Sequence, residues 1–339
     1  MKKFPVDIVY TWVNGNEKKW LSKKDAVLKK YGKYHKSDDV SGEKRFSNKN
    51  ELKYSLRSID RYCPWVRNIY IVTDRQKPEW INTKIKNLKV IDHTEIFGEN
   101  LLPSFNSNAI EMRIKYIRGL SENFLSLNDD FFINRKTRIS DFFFEDGRPK
   151  IFVGKPTSKI KLKLRLDYPK LKKMKAHASA VYNSRKVIYK KFKKIINHNL
   201  SHSVKPLNKD ILGLLEDLFQ KEFNVTLNNQ FRDNSDTWVM SLCAYYQIVS
   251  NDSQPVYLRK LKKRTIINRL YHFFNIQFNY GYVDLSWPLE KVKKYLDFIE
   301  KYKPFTFCLN DWPNDNKEAD QLITSFLENL FPDKSKYEK

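Results

Sequence analysis

The stretch FLSLNDDFFI, residues 124–133, constrains this chain most, because an apolar run ends in two adjacent carboxylates and then becomes apolar again. A buried strand that ends at Asp129 and Asp130 would place paired anionic oxygens at the carboxyl edge of a sheet, where open α/β sheets bind ligands. Mg²⁺ and Mn²⁺ prefer carboxylate and water oxygens, and are often held by one or two carboxylates together with substrate phosphates. The pattern therefore indicates a metal-bridged diphosphate site. An Asn-Asp-Asp turn after a buried strand accounts for the same residues.

Strand and helix patterns alternate along the first part of the chain. Runs rich in β-branched and aromatic residues predict strands at Val6–Val13, 68–73, 88–91 and 124–128, and Asn14-Gly15 ends the first of them as a turn. Between the first two strands, Asn48 is predicted to cap a helix in which Leu52, Leu56 and Ile59 recur at helical spacing. Alternating strands and helices predict an α/β fold whose mostly parallel sheet is flanked by helices.

The second part of the chain is basic and predominantly helical in pattern. Residues 155–194 hold fifteen Lys or Arg against the single Asp167, and Pro156 and Pro169 argue against one continuous helix. Helical patterns lie at 185–196, 208–223, 236–248, 289–302 and towards Phe331, with a strand at 305–309 that leads into Asn310-Asp311. We therefore expect three parts: an α/β part at 1–150, a basic, mainly helical part at 151–285, and a strand and helix at 286–339 that return to the core.

Charge and cysteine content narrow the class of protein. The net charge of +25 over 339 residues indicates an anionic partner, whether nucleic acid, a phosphorylated substrate or an acidic membrane surface. Its excess of Lys over Arg is also what an AT-rich coding bias would produce. No apolar run approaches the roughly 20 residues of a membrane span, and the N-terminus is a poor signal peptide. Three cysteines without metal spacing fit a reducing compartment, so we expect a cytoplasmic protein.

Several polar residues inside these patterns are candidates for a site, each with a structural alternative. Asp7 lies within an apolar strand, so it either faces a ligand at the sheet edge or is hydrogen-bonded internally. Trp12 stacks on a base or packs in the core. Asn106 and Asn108 precede a helix, and helix N-termini bind anions. His202 is either a reacting group or an ordinary histidine of the surface or core.

Four blocks of sequence together resemble the conserved regions of the Stealth family. The first block is DIVYTWVNG (7–15), and the second joins RFSNKNELKYSLRSIDRYCPWVRNIYIVTD (45–74) to LPSFNSNAIE with GLSENFLSLNDD (102–130). The third runs from His202 through Phe231-Arg232, and the fourth is FTFCLNDWPNDN (305–316). The third region departs from the family pattern, because Ser-Val-Lys-Pro follows His202 in place of a tight His-x-Pro, and His198 is the fallback. The family comprises bacterial capsule and exopolysaccharide phosphotransferases and the catalytic subunit of the lysosomal-enzyme N-acetylglucosamine-1-phosphotransferase.

The resemblance implies a glycosyltransferase-A-like sheet that binds a nucleotide sugar. It also implies transfer of a sugar-1-phosphate from this nucleotide sugar, which is expected to be a UDP-sugar, to a glycan hydroxyl. It assigns catalysis to His202 as base, Arg232 on the phosphate charge, and Asp129 with Asp130. It assigns Mg²⁺ or Mn²⁺ to Asp129, Asp130, Asn310 and Asp311. Substrate binding falls to Asp7, Trp12, Asn14, Gly15, Arg45, Asn50, Arg57, Asn106 and Asn108. The expected partners are a nucleotide sugar and a growing or lipid-linked glycan, and no nucleic acid.

Two other functions and one partner stay open. A metal-dependent glycosyltransferase would share the fold and the acidic pair but release a nucleoside diphosphate, and a non-enzymatic polyanion binder would account for the charge alone. Residues 259–282 mix Lys and Arg with aromatic side chains, which suits peripheral contact with an anionic membrane at the inner face of the plasma membrane. The alternative is a pair of strands whose aromatic side chains enter the core.

Overall fold

A computed structural model describes residues 4–31, 38–42, 45–46, 48–167, 174–260, 279–310 and 316–339, with only the backbone of residues 38, 39 and 259. Its strands are β1 (Val6–Thr11), β2 (Ile69–Thr73), β3 (Leu88–Asp92), β4 (Asn123–Asn128), β5 (Phe131–Ile133), β6 (Ile151–Val153), β7 (Lys205–Asn208), β8 (Pro255–Tyr257), β9 (Arg259–Lys260), β10 (Asn279–Asp284) and β11 (Thr306–Asn310). Its α-helices are α1 (Lys18–Leu28), α2 (Asp38–Ser41), α3 (Glu51–Tyr62), α4 (Ser107–Arg113), α5 (Lys159–Asp167), α6 (Ala176–Phe192), α7 (Lys209–Leu218), α8 (Gln220–Asn228), α9 (Val239–Ser250), α10 (Leu289–Tyr302) and α11 (Lys317–Leu330). Short 3₁₀ turns lie at His93–Glu95, Glu99–Leu101, Ile114–Tyr116 and Ile139–Asp141.

The main sheet of the described residues has five strands in the order β3-β2-β1-β4-β7. The first four are parallel, and β7 runs antiparallel to β4 at the edge. Thr11 is in register with Val72 on one side and with Asn128 on the other, so neighbouring strands end at the same edge. The predicted α/β fold with a mostly parallel sheet is confirmed.

Both faces of this sheet are covered by helices. Val6, Ile8 and Tyr10 share a core cluster with three residues of α3, whereas Val9 shares the opposite cluster with residues of α4 and α9. Parallel strands buried on both faces need near-continuous apolar sequence, which is what VDIVYT provides apart from Asp7. The α3 residues in the first cluster are those predicted from helical spacing: Leu52, Leu56 and Ile59.

A second sheet brings the C-terminal part of the chain to the end of β4. Its order is β5-β11-β10-β9, with β11 antiparallel to β5 and parallel to β10. Cys308 is in register with Phe131, and the backbone N–H of Leu309 donates to the carbonyl of Asp130 over 3.2 Å. α10 and α11 pack on this sheet. A parallel pair, β6 and β8, lies at one side of the basic region.

Several element boundaries differ from those predicted. α6 begins at Ala176 rather than near residue 185, and the helix predicted over 208–223 breaks at Phe219 into α7 and α8. α3 begins at Glu51, and the Asn48 side chain accepts from the backbone N–H of Asn50 instead of capping the helix directly. The helix at 289–302 is confirmed as α10. The division into 1–150, 151–285 and 286–339 stays a prediction, with β7 and β5 each joining a sheet built mainly from another part.

Candidate active site

A cleft lies where the parallel strands end. The strand order reverses between β1 and β4, and open α/β sheets bind ligands outside the carboxyl ends of strands at such a switch point. The cleft encloses roughly 850 Å³ with its open mouth included. From the strand ends it is lined by Thr11, Trp12, Val13, Val72, Asp74, His93, Asn128 and Asp129, and from the other elements by Trp20, Arg45, Phe46, Ser104, Phe105, Ser107, Ile110, Glu111 and Arg232.

One end of the site is acidic. Asp129 and Asp130 follow β4 and are half-buried, and Glu51, in the first turn of α3, is buried beside them. Burial, the carboxylate of Glu51 and that of Asp130 raise the pKa of Asp129 well above its usual value. Burial also raises the pKa of Glu51 to about 7, and the charge of Asp130 adds to this shift. Carboxylates that repel one another at a strand end are a donor set that a divalent cation would relieve. The residues therefore fit Mg²⁺ or Mn²⁺.

One of the two metal ligands expected after the C-terminal strand, Asn310, lies beside this acidic end. β11 continues past Leu309, which pairs with the backbone of Asp130, to Asn310, its last residue. Asn310 accordingly lies at the same end of the second sheet as the acidic pair. Asp311 lies outside the described residues.

The opposite wall of the cleft carries positive charge. Arg232 donates through Nε and one terminal nitrogen to Ser107 Oγ, over 2.9 and 2.6 Å. The pKa of His177, on α6, is lowered to about 4, first by the surrounding protein and then by the charges of Arg232, Arg45 and Lys205. Three cations are thus close enough to act on one imidazole. Such a cluster provides donors for phosphate oxygens.

His202 joins the acidic end to the cationic wall. A nitrogen of its ring lies within 4.8 Å of a carboxylate oxygen of Asp130 and of the sulfur of Cys308. Phe131 and Tyr282 contact the ring edge-on, with centroids 5.1 and 5.3 Å away. The ring is reached by solvent but has protein on most sides, and this environment, with Lys205, His177 and Lys260, lowers its pKa far below the usual value. His202 is therefore neutral at neutral pH, and the same shift makes its imidazole a weaker base than a free histidine.

The fallback histidine lies elsewhere. His198 Nε2 is 3.1 Å from the hydroxyl of Tyr257. Burial lowers the pKa of His198, and the charges of Lys159 and Arg185, rather than charges of the cleft, lower it further. Of the two histidines, His202 is the one near Asp130.

Asn106 and Asn108 do not face the cleft, contrary to expectation. Both side-chain amides donate to Asp236 Oδ2, over 2.9 and 3.0 Å, and all three residues are buried. Asn229 Nδ2 donates to the other oxygen of Asp236, over 2.8 Å. This network ties the start of α4 to the loop that carries Arg232. We therefore propose that Asn106 and Asn108 position Arg232 and do not bind substrate.

Asp7 and Arg57 also have internal partners in place of substrate. Asp7 is fully buried near the amino end of β1, where both carboxylate oxygens accept from Arg67, over 2.8 and 2.5 Å, so its internal alternative applies. Arg57 makes a bidentate pair with Glu338, each bond 2.8 Å long. We propose framework roles for both residues, because their charged groups are already satisfied far from the cleft.

The turn after β1 supports the cleft from below. The N–H of Gly15 donates to the carbonyl of Phe46 over 2.7 Å, and a Cβ on Gly15 would lie 2.2 Å from that oxygen. Only glycine fits there, and the contact holds the segment of Arg45 against the end of β1. The backbone of Asn14 exchanges two hydrogen bonds of 2.9 Å with the Gln76 side chain. Asn14 and Gly15 thus touch neighbouring loops, and substrate binding by either stays a prediction.

Three other residues were predicted to bind substrate, and two of them lie in the cleft. Trp12 and Arg45 line the cleft, as expected, although Trp12 also belongs to the core cluster beneath β1. Asn50 is exposed and accepts from Trp80 Nε1 over 3.2 Å, outside the residues that line the cleft. Its role in substrate binding stays a prediction.

Four family models match the chain in order. They are Stealth protein conserved region 1 at residues 4–32, conserved region 2 at 45–151, conserved region 3 at 201–248 and conserved region 4 at 297–339. Together they span more than half of the chain. This protein belongs to the Stealth family.

Curated Stealth relatives are polysaccharide phosphotransferases by name. A capsular polysaccharide phosphotransferase of Haemophilus influenzae is 31% identical over 322 residues, which cover 92% of this chain and 79% of that protein. Two exopolysaccharide phosphotransferases of Streptomyces coelicolor are 31% and 34% identical, over 99% and 100% of this chain and 53% and 52% of their own lengths. The chain thus spans only about half the length of the two Streptomyces relatives.

Solved structures resemble the fold only distantly. The glycosyltransferase GlyE of Streptococcus pneumoniae gives a TM-score of 0.40 at 9% identity, covering 97% of this chain and 63% of that one. The galactosyltransferase LgtC gives a TM-score of 0.40 at 10% identity, covering 96% of both chains.

Each Stealth region supplies part of the site. Region 1 contributes Trp12, region 2 contributes Arg45 and Asp129, region 3 contributes His202 and Arg232, and region 4 contributes Asn310. Residues far apart in sequence thus meet at one sheet edge. No helix among the described residues of this Stealth protein is both long and apolar enough to cross a membrane.

Sequence reasoning missed three residues of the Stealth site: Glu111, Lys205 and His177. Glu111 is buried in the cleft wall, where Trp238 Nε1 donates to it over 2.7 Å. Burial lowers the pKa of Lys205 to about 8, although Glu111 acts to raise it. Lys205 is the lysine of the Ser-Val-Lys-Pro sequence after His202. The sequence signal for Lys205 was therefore a positive charge at the point where this chain departs from the family pattern.

Glu111→Gln should stabilise the Stealth protein at about pH 8 and have little effect below about pH 4.5. Burial raises the pKa of Glu111 from its ordinary 4.5 to about 7, against the opposing charges of Arg232 and Lys205. The folded state therefore holds more protons than the unfolded state between these values, and the free energy of unfolding falls as pH rises through them. Glutamine removes this loss, and we expect a gain of about 1–3 kcal/mol in urea unfolding at the higher pH. The exposed Glu145→Gln is the control, and an equal gain at both pH values would contradict the argument.

Proposed function

We propose that this Stealth protein is a polysaccharide phosphotransferase that moves a sugar-1-phosphate from a nucleotide sugar to a glycan hydroxyl. The observation that supports this most is the pairing of an acidic end, Asp129 with Asp130, and a cationic wall, Arg232 with Arg45, at the switch point of one parallel sheet. Phosphoryl transfer needs positive charge around the transferred group and an oriented nucleophile. The names of the curated relatives, which are polysaccharide phosphotransferases, agree with this chemistry.

The acceptor hydroxyl attacks the β-phosphorus of the donor. The bond from acceptor oxygen to phosphorus forms, the bond from phosphorus to the bridging oxygen breaks, and the nucleoside monophosphate leaves. In our proposal His202 takes the proton of the acceptor hydroxyl, because its imidazole lies near Asp130 at the acidic end of the site. Arg232, held by Ser107, donates to the equatorial oxygens as their charge rises.

A divalent cation would be held by Asp129 and Asp130, with Asn310 and Asp311 as further candidates. Bound there, it would neutralise diphosphate charge and fix geometry rather than generate hydroxide. Trp12, at the end of β1, lines the same cleft as Arg232 and would contact the nucleotide. The donor thus lies along the strand ends.

The released nucleotide tests the proposed function. Purified protein is incubated with a panel of nucleotide sugars and a glycan acceptor, and the nucleotide product is identified by chromatography and mass spectrometry. Nucleoside monophosphate, together with a phosphodiester in the glycan, is the expected result. Nucleoside diphosphate in its place would identify an ordinary glycosyltransferase and refute the proposal.

Asp129→Asn or Asp130→Asn should each lower turnover more than about tenfold with little change in fold, because each removes a negative charge from the set proposed to hold the cation. Chelation of the wild-type protein should abolish activity, and Mg²⁺ or Mn²⁺ should restore it. Turnover and circular dichroism are measured together, with the exposed Asp167→Asn as control. Full turnover after chelator treatment would show that the metal assignment is wrong.

A further inference from the structure

Helix α5 lies on the surface of the basic region with little of its own sequence buried. It follows β6, and of its nine residues, KIKLKLRLD, only Leu162 is buried. The helix is attached rather than loose. Tyr182 on α6 donates to the carbonyl of Arg165 over 2.8 Å, and Asn197 donates to the carbonyl of Thr157, just before the helix, over 3.0 Å. Its orientation relative to the protein is therefore defined.

The helical repeat sorts the side chains of α5 into an inner and an outer stripe. Residues four apart lie on the same face of an α-helix, and residues two apart lie nearly opposite. Leu162 and Leu166 are the buried and half-buried pair, so they face the protein. Ile160 and Leu164 form the opposite stripe, and they are 76% and 52% exposed. Two large aliphatic side chains thus face outward together.

Cations flank the outer stripe on both sides. At 100° per residue, Lys159 and Lys163 fall on one side of Ile160 and Leu164, whereas Lys161 and Arg165 fall on the other. All four basic residues are exposed. An exposed apolar stripe between two rows of Lys and Arg is the arrangement of a helix that lies in a membrane interface. The basic side chains can reach anionic headgroups while the aliphatic ones enter the acyl boundary.

We propose that α5 binds the surface of an anionic membrane. An anionic glycan would also match the four cations, but it would gain nothing from Ile160 and Leu164, so the outer stripe favours lipid. Tyr257, 53% exposed, adjoins this surface: its hydroxyl is 3.1 Å from His198, and Lys159 contributes to the lowered pKa of His198. Aromatic side chains are favoured at the headgroup level.

The surface expected from sequence, at residues 259–282, is not tested by the structure. Most of residues 259–282 lie outside the described residues, and Tyr280, which is described, is buried in the core, as the alternative interpretation held. The membrane contact at α5 also bears on the proposed function. His198 borders the surface and His202 follows four residues later, at most about 14 Å along an extended chain. If the proposed function holds, a lipid-linked acceptor at the membrane would lie near the proposed base.

Vesicle co-sedimentation tests α5 without reference to activity. The whole chain is mixed with vesicles of phosphatidylcholine alone or of phosphatidylcholine with phosphatidylglycerol. We expect binding to the anionic vesicles that weakens as salt is added. Ile160→Ser with Leu164→Ser should lower the binding constant about tenfold or more, and Leu214→Ser with Val225→Ser, also exposed on helices, should leave it unchanged.

A charge-matched pair of variants completes the test. The α5 variant replaces four basic residues with Gln, and its control replaces four exposed lysines of α1 and the turn after it. The α5 set is Lys159, Lys161, Lys163 and Arg165, and the control set is Lys18, Lys19, Lys29 and Lys30. Only the α5 variant should lose binding, with circular dichroism unchanged. Equal binding to both vesicle types, or wild-type binding by the Ile160/Leu164 variant, would overturn the proposal. The proposal would also be overturned if the α5 charge variant lost binding to dextran sulfate but kept binding to vesicles.

Discussion

Arg232→Ala should lower turnover about a thousandfold or more while leaving the fold intact. Removing an arginine that stabilises transferred phosphate costs three to five orders of magnitude in enzymes that depend on it. Arg232 lies in the cleft wall and has a defined orientation, because Ser107 Oγ accepts two of its N–H groups. Turnover is measured as released nucleotide, beside circular dichroism.

Two further variants separate the charge of Arg232 from its position. Arg232→Lys keeps the charge but loses the planar two-point contact, so it should recover only part of the rate. Ser107→Ala keeps Arg232 but removes its acceptor and should have a smaller effect. The exposed Arg118→Ala should be close to wild type. If Arg232→Ala loses only about tenfold, the residue does not bear on the transition state and the assignment is wrong.

The strand ends were predictable because their signal is local. The observed bounds of the first four strands, β1 to β4, lie within two residues of the predicted bounds. Strands of a parallel sheet that is covered on both faces require continuous apolar sequence, which is easy to recognise. Polar residues that follow such runs reach the ligand edge by topology alone. Trp12 and Asp129 therefore line the cleft as expected.

Three of the candidate substrate residues have internal partners that are distant in the chain. Asp7 pairs with Arg67, Arg57 pairs with Glu338, and Asn106 donates to Asp236. In each case the polar residue lies in or beside a buried element, and local pattern does not distinguish a buried network from a ligand contact. Both need hydrogen-bonding groups that are shielded from water.

The same limit explains why Glu111, Lys205 and His177 were missed. Glu111 follows α4's first turn, Lys205 opens an edge strand and His177 lies on a helix outside the four Stealth regions. Lys205 acts to lower the pKa of both His177 and Glu111, and Glu111 in turn acts to raise that of Lys205; these effects arise only when three segments pack together. Electrostatic coupling of this kind belongs to the tertiary structure.

His202→Ala should lower turnover by roughly two orders of magnitude or more, the usual range for loss of a general base. The imidazole lies near Asp130 and Cys308, at the acidic end of the site, where the acceptor hydroxyl would lose its proton. Binding of nucleoside diphosphate, measured by calorimetry, should change little, because His202 is not among the residues that line the cleft. A fall in turnover with intact binding would separate proton transfer from a structural defect.

His198→Ala is the matched control, since it removes the same side chain four residues away. His198 contacts the Tyr257 hydroxyl, at the surface beside α5, and its loss should leave turnover close to wild type. A mild effect at His202 with a severe one at His198 would transfer the role of base to His198. Equal and severe effects accompanied by altered circular dichroism would instead mean that the segment from 198 to 202 supports the fold, because Ser201 and Ser203 within it are buried and hydrogen-bonded.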